Sequence, residues 1–427
     1  MKIGIRREDK NIWEGRVPLV PADIEEIKQK HEIEFIVQPS TIRAFKDSEF
    51  EQVGCSVSED LSDCDLIIAV KEIPVDFFKE NKNYLFFSHT IKGQKENMQI
   101  LKIMMEKNST LLDYEKIVDD NNKRIVFFGK YAGIAGMIDS FYAYGQKLKF
   151  EGIDSPFQKV KHAFDYKEVS KAKVNFAEIA EKIKNGEQKF PVIIGIAGYG
   201  NVSKGSQEII DLFPCKELTP RELVAVDKST LSTNCIYKVV FKEQDLVEAK
   251  SGEFNLTDYY NNPQNYQSIF TRYLNKIDIF INAVYWDNRY PKLITCDYLK
   301  QNQENLKNLR VIGDISCDVN GGVECTRKST NTGEPFFVYE PEKDDIVMGI
   351  EGNGPAILAV DNLPGEIARD SSTFFSNILK NYIFSLTKEN LDSLSIPEEL
   401  NKAVIVHKGK LMPDFKYLEE YLKEGEK

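Results

Sequence analysis

Lys71 and His89 are the residues of this sequence best placed to move protons. Lys71 follows the apolar run 66–70 and His89 follows the run 84–87, so each stands at the end of a strand-like segment. In a parallel sheet, ligands gather at the carboxyl ends of the strands. An amine and an imidazole in that position can serve as general acid and base. Asp113 and Glu115 end the next run, which starts at Thr110, while Arg124 opens another, and Arg16 and Lys92 add positive charge. Taken singly, each is explained by a strand returning to solvent, where Lys and His are common. Taken together, Arg16, Lys71, His89, Lys92, Glu115 and Arg124 describe a cleft that holds anions and exchanges protons. Pattern alone leaves both readings open.

A second constellation is built for phosphate. The run 192–197 is apolar and rich in β-branched residues, and it leads into Gly198-Tyr199-Gly200-Asn201-Val202-Ser203-Lys204-Gly205. A helical pattern with Ile209, Ile210 and Phe213 follows. Strand, glycine turn and helix in that order are the context a dinucleotide fingerprint requires. Gly198 permits the tight turn and Gly200 lets the backbone approach a pyrophosphate. The helix start at Asn201, Val202 and Ser203 supplies free N–H groups. Ser203 stands where a third glycine is usual, and Gly205 comes two residues later, so a purely structural turn is the alternative. Thr219-Pro220-Arg221-Glu222 reads as a capping box, which makes 223–226 helical and leaves 215–218 as the second strand. Asp227 is thereby withdrawn as a ribose ligand. No acid ends that strand, although Glu217 is close, and Thr219 and Arg221 could receive a 2′-phosphate. The expected cofactor is NADPH, with NADH as the alternative.

These groups need a frame. Strand candidates lie at 3–6, 35–38, 66–70, 84–88, 110–114 and 125–129, with helical patterns between them. Alternating strands and helices indicate an α/β fold with a mostly parallel sheet. Residues 133–149 read as a long apolar helix, a charged and less patterned stretch follows to about 190, and a second α/β block runs from 191 to about 339. The expected domains are 1–132, 133–345, and a C-terminal segment 346–427 that docks back onto the first. A net charge of -11 argues against a nucleic-acid partner, which needs a basic footprint. It leaves room for anionic small substrates in a locally basic cleft. The seven scattered cysteines form no C-x-x-C pair, so neither a disulfide framework nor a metal site is expected. No apolar signal region precedes the first strand, and no run reaches membrane-spanning length, so the chain is expected to be soluble and cytoplasmic.

Several segments resemble lysine–2-oxoglutarate reductase, the saccharopine-forming enzyme that is the N-terminal half of aminoadipate semialdehyde synthase. They are Ile5-Arg6-Arg7-Glu8-Asp9, Trp13-Glu14-Gly15-Arg16-Val17-Pro18-Leu19, Phe87-Ser88-His89-Thr90-Ile91-Lys92 and Asp113-Tyr114-Glu115-Lys116. Phe128-Gly129, Ala132-Gly133-Ile134-Ala135-Gly136-Met137, the glycine turn, Asp314-Ile315-Ser316-Cys317-Asp318 and Asp361-Asn362-Leu363-Pro364 extend the match in order along almost the whole chain. More distantly the chain is similar to alanine dehydrogenase and the transhydrogenase nucleotide-binding unit. The resemblance implies two Rossmann-like domains with parallel sheets, the first discontinuous, and a cleft between them. It implies reductive condensation of L-lysine with 2-oxoglutarate to saccharopine, with Lys71 and His89 as acid–base residues and Asp318 near the nicotinamide. Tyr285, Asp314 and Ile315 would line the cofactor groove; Arg16, Lys92, Glu115 and Arg124 would meet the substrate. Nothing resembling the saccharopine-cleaving half follows, so a monofunctional reductase is expected, with no metal, and a homo-oligomer is left open. Two positions depart from the family: Gly15 replaces the first of two adjacent arginines, and Glu72 stands where several relatives have Arg. The rival readings are an alanine dehydrogenase-like or opine-type enzyme and a non-catalytic nucleotide-binding protein.

Overall fold

The computed structural model describes residues 1–424. Six strands open the chain: β1 (Lys2–Ile5), β2 (Glu34–Val37), β3 (Ser56–Val57), β4 (Leu66–Ile68), β5 (Asn83–Phe86) and β6 (Thr110–Asp113). Ten follow: β7 (Val192–Ala197), β8 (Cys215–Glu217), β9 (Ile236–Phe241), β10 (Val247–Ala249), β11 (Tyr266–Ser268), β12 (Ile279–Asn282), β13 (Val311–Asp314), β14 (Phe336–Glu340), β15 (Asp345–Met348) and β16 (Ala356–Leu358). Two more, β17 (Val404–His407) and β18 (Lys410–Leu411), close the set. One eight-stranded sheet has the order β18-β17-β6-β5-β4-β1-β2-β3 and the other β15-β14-β16-β13-β12-β7-β9-β8. Both are mostly parallel, with antiparallel pairs confined to one edge of each. The fold is two Rossmann-like domains.

Strand burial explains the near-continuous apolar runs. Every residue of β4 and β7 is buried, as expected where both faces of a parallel sheet are covered. Alternate residues feed opposite cores: Leu66 and Ile68 join one cluster with Ile3, Ile5 and Leu85, whereas Ile67 joins another with Tyr84 and Phe86.

The chain divides into two compact units, Met1–Phe128 with Ala368–Lys427, and Gly129–Ile367. The second unit runs on past 345 because β16 pairs with β13 in the middle of its sheet, which carries the chain through to Ile367. The apolar helix starts at Gly129, earlier than its sequence pattern suggests, and runs to Phe150. Residues 125–129 are not a strand. Their apolar character comes from packing, since Val126 and Phe128 are buried and the Phe128 ring stacks on Phe375 at 4.4 Å. The charged stretch before β7 holds a 16-residue helix, Val169–Lys184, which buries Val169, Ala172, Phe176, Ile179, Ala180 and Ile183. Those positions repeat at helical spacing. The C-terminal segment adds the helix Ala368–Ile383 and a strand as well: β17 extends the first sheet antiparallel to β6. Among the described residues no helix is long and apolar enough to cross a membrane.

Candidate active site

Strands β1, β4, β5 and β6 lie side by side in the first unit, and the groups of interest follow their carboxyl ends. Glu8, just past β1, is buried and accepts hydrogen bonds from the backbone N–H of Val70 at 2.6 Å and of Lys71 at 2.9 Å. It thereby fixes the backbone that carries Lys71. Burial, with Glu14 adding to it, pushes the Glu8 carboxyl up to about 7. Lys71 itself is half-buried. Burial first, then the nearby Arg16 guanidinium, lowers its pKa from the ordinary lysine value. No hydrogen bond or ion pair ties its ammonium to another described residue.

Glu72 turns to His89. Its Oε1 lies 2.6 Å from His89 Nδ1, and Lys10 Nζ approaches the same carboxylate at 3.0 Å. Burial pushes the Glu72 pKa up, but the His89 hydrogen bond and the charges of His89 and Lys10 outweigh it and hold the carboxyl well below its usual range. An ionised Glu72 can only accept, so Nδ1 carries a proton and Nε2 is the atom free to exchange one. His89 has φ +53°, in the left-handed region, and starts a turn Thr90–Lys92. That conformation is uncommon for a residue with a side chain and is held here by its surroundings.

Arg16 and Glu14 are both buried and paired, with Nε to Oε1 at 2.8 Å and Nη2 to Oε2 at 2.5 Å. The Arg16 guanidinium also sits 4.4 Å over the Phe128 ring. Glu115 accepts from Arg124 at 2.6 Å through Oε1, while its buried Oε2 has no hydrogen-bond partner. Asp113 anchors this end from beneath, accepting from the Ser88 and Glu115 N–H groups at 2.9 and 2.8 Å. Lys92 is exposed at the end of its turn. Lys71, Glu72, His89 and Arg16 are thus brought together, Glu115 and Arg124 form a neighbouring pair, and Lys92 joins neither by a hydrogen bond or ion pair among the described residues. Glu8, Glu14 and Lys10 escape sequence reading. Nothing in residue type announces a buried carboxylate; only the adjacency of β1 to β4 does.

The second unit carries the glycine turn. Gly198 has φ +96°, and a methyl group there would lie 2.9 Å from the Ala283 carbonyl oxygen. Gly200 opens onto free space and precedes the helix Asn201–Ile210, whose first turn has no side-chain cap. A groove of about 330 Å³ is lined by Gly198, Gly200, Glu243, Tyr260, Tyr285 and Trp286, among others. Uncapped N–H groups above an open glycine suit a pyrophosphate, so these residues fit a dinucleotide. Ser203 is buried, and Gly205 serves helix packing: a methyl group on it would lie 1.9 Å from Lys130 O, and one on Gly133 would lie 1.8 Å from Val202 O. Tyr285 is exposed on the groove wall. The Asp314 carboxylate is committed to Asn282 Nδ2 at 2.9 Å and Thr326 Oγ1 at 2.6 Å, and burial pushes it up to about 6. Ile315 packs beside Gly136, and Asp318 lies in the turn that follows, where Cys317 has φ +58°.

The strand beside β7 is β9, not β8, which lies one place further out at the sheet edge. Neighbouring strands are about 4.8 Å apart, so the residues after β8 sit some ~10 Å from the cofactor strand. Thr219 caps its own short helix, accepting from the Glu222 N–H at 3.2 Å. Asp227 caps the turn Lys228–Thr230.

One further cluster lies in the second unit, where Asp139, His162 and Glu366 bring ligand-type atoms within 4.8 Å of one another. His162 Nδ1 accepts the Phe164 N–H at 3.2 Å. His162 Nε2 lies 3.4 Å from Asp139 Oδ2 and 3.8 Å from Glu366 Oε1. Burial, with the Asp139 charge and hydrogen bond adding to it, raises the Glu366 pKa well above its ordinary value.

The alanine dehydrogenase/PNT family matches this chain in its N-terminal domain over residues 4–135 and in its C-terminal domain over residues 237–414. Alpha-aminoadipic semialdehyde synthase of Arabidopsis thaliana is 34% identical over 439 residues, covering 97% of this chain and 41% of that protein. The chain thus spans less than half the length of that relative. Saccharopine dehydrogenase (NAD(+), L-lysine-forming) of Yarrowia lipolytica is 26% identical over 389 residues, covering 89% of this chain and 90% of that one. A solved structure of L-alanine dehydrogenase shares the fold, with a TM-score of 0.64 at 18% identity over 99% of this chain and 100% of that one. With both domains of the family matched, the chain belongs to the alanine dehydrogenase/PNT family.

Proposed function

We propose that this chain joins the ε-amine of L-lysine to the keto group of 2-oxoglutarate and reduces the resulting imine to saccharopine. The observation that carries the reading is the strand-end cluster, in which an uncommitted amine of lowered pKa, Lys71, adjoins an imidazole held by a carboxylate. The similarity to the Arabidopsis aminoadipic semialdehyde synthase and the Yarrowia saccharopine dehydrogenase supports the substrate class.

The substrate amine has a pKa of ~10.4 in water, so it must lose a proton before it can attack. Lys71, its own pKa lowered, accepts that proton. The carbinolamine must then shed its hydroxyl as water, and His89 donates from Nε2 while Glu72 holds Nδ1. The free Oε2 of Glu115 is suited to a substrate ammonium. Arg16 and Arg124 each already face a carboxylate, so a substrate carboxylate would share them with Glu14 and Glu115, and Lys92 is free to add a third contact. Gly198, Gly200 and the start of the helix Asn201–Ile210 would hold a nicotinamide dinucleotide, which would supply the hydride. The NADPH expectation rests on Thr219 and Arg221; β9 stands between them and β7, so they lend it no support.

The test is loss of absorbance at 340 nm with L-lysine and 2-oxoglutarate, run in parallel with NADH and NADPH. Turnover that needs both substrates is expected. Turnover with pyruvate and ammonia but not with this pair would contradict the reading.

A further inference from the structure

The residue that reads the ribose in a dinucleotide site comes from the strand next to the phosphate strand, at its carboxyl end. In this chain that strand is third in sequence. β9 pairs in register with β7, Ala197 facing Phe241, and the Gly198 N–H donates to the Phe241 carbonyl at 2.9 Å. The two residues after Phe241 therefore emerge beside the glycine turn, and they are Lys242 and Glu243.

Geometry chooses between them. Glu243 lines the groove with Gly198 and Gly200, and Lys242 does not. The Glu243 carboxylate is held in place, because Oε1 accepts from Tyr260 at 2.5 Å and from Tyr199 at 3.4 Å. Its Oε2 has no hydrogen-bond partner among the described residues. Lys242 is exposed, with its ammonium 6.0 Å above the Tyr199 ring. A fixed carboxylate with one free oxygen accepts from a ribose hydroxyl, and it repels a phosphate carried at the same carbon.

We propose that Glu243 reads the ribose 2′-hydroxyl and makes this chain select NAD(H) over NADP(H). The assignment rests on the reading of the second unit as a nicotinamide dinucleotide site. It reverses the preference that the sequence order of the strands suggests, because that order places β8 where the structure has β9.

The experiment is calorimetric titration of the full chain with NADH and with NADPH, for the wild type and for Glu243→Gln, Glu243→Ser and Lys242→Ala. Glu243→Gln keeps an acceptor for the two tyrosines while removing the charge, so it reports on selectivity if the serine variant is poorly folded. The wild type is expected to bind NADH at least tenfold more tightly than NADPH. Both Glu243 variants are expected to bring that ratio close to one, chiefly by strengthening NADPH, and Lys242→Ala to leave it unchanged. A wild type that prefers NADPH, Glu243 variants with an unaltered ratio, or a ratio set by Lys242→Ala would each overturn the assignment. Binding of neither cofactor would overturn the dinucleotide reading, and the assignment with it, so the two failures are distinguishable.

Discussion

At the carboxyl edge of the first sheet, two titratable groups are held in different ways. Lys71 is fixed through its backbone by Glu8 and leaves its amine uncommitted; His89 is fixed through its ring by Glu72. Removing a positioned acid or base typically costs ~10²–10⁴-fold in rate. Lys71→Met and His89→Gln are each expected to lower kcat by at least ~10²-fold while leaving cofactor affinity within about twofold. Steady-state kinetics beside cofactor titration checks this, and a kcat within tenfold of wild type would remove that residue from the chemistry. Lys71 and His89 are legible in sequence because a titratable residue directly after an apolar run is visible without knowing what lies beside it. Glu8 and the Glu72–His89 contact are not, since both depend on which strands become neighbours. The signs of Arg16 and Arg124 are equally plain in sequence, yet their carboxylate partners are not, and those partners decide how much charge is left for a substrate. Asp314 shows the converse. An aspartate at a strand end invites a ligand role, but here two side-chain donors already occupy it.

At the scale of elements, the glycine turn works because two helices cross beneath it with no side chain between them. Gly133 of the helix Gly129–Phe150 touches Val202 O, Gly205 of the helix Asn201–Ile210 touches Lys130 O, and Ser206 Oγ donates to Gly133 O at 3.0 Å. A methyl group at either glycine forces the helices apart and moves the turn they support. Gly133→Ala and Gly205→Ala are each expected to destabilise by ~1–3 kcal/mol, the usual cost of overpacking. Differential scanning calorimetry would then show the second unit melting several degrees lower, and unchanged melting would mean the crossing is looser than described. The strand–turn–helix of this motif is legible because a β-branched run, two glycines and a periodic helix are all local signals. The exchange of β8 and β9 is not local. A three-residue strand that ends in Lys and Glu has no pattern that says which neighbour it takes, and pairing alone puts it at the edge. The misread stretch 125–129 has the same origin, because apolar residues needed to pack against Phe375 look like those of a strand.

At the scale of the whole molecule, buried acids make stability depend on pH. Glu366 is fully buried, and burial, with Asp139 adding to it, raises its pKa well above the ordinary value. Its folded-state pKa exceeds its unfolded one, so its contribution is complete below about pH 4.5 and is lost as pH rises toward the folded value. Glu8 behaves the same way, with its loss falling between about 4.5 and 7. Glu366→Gln cannot ionise, so the melting temperature of the variant relative to wild type is expected to rise from pH 5 to pH 8. An equal difference at both values would show that the carboxyl ionises freely in the folded state. The two α/β blocks are legible in the chain because each alternates apolar runs with periodic helices. That the C-terminal segment returns to the first block is foreshadowed by its lack of a motif, although its strand β17 is not. In the proposed reaction one nitrogen passes intact from lysine into the product. Mass spectrometry of the reaction of lysine labelled with ¹⁵N at the ε position, 2-oxoglutarate and reduced cofactor tests it most directly. Saccharopine that retains the label in its secondary amine is expected; labelled glutamate, or no product dependent on both substrates, would overturn the proposed reaction.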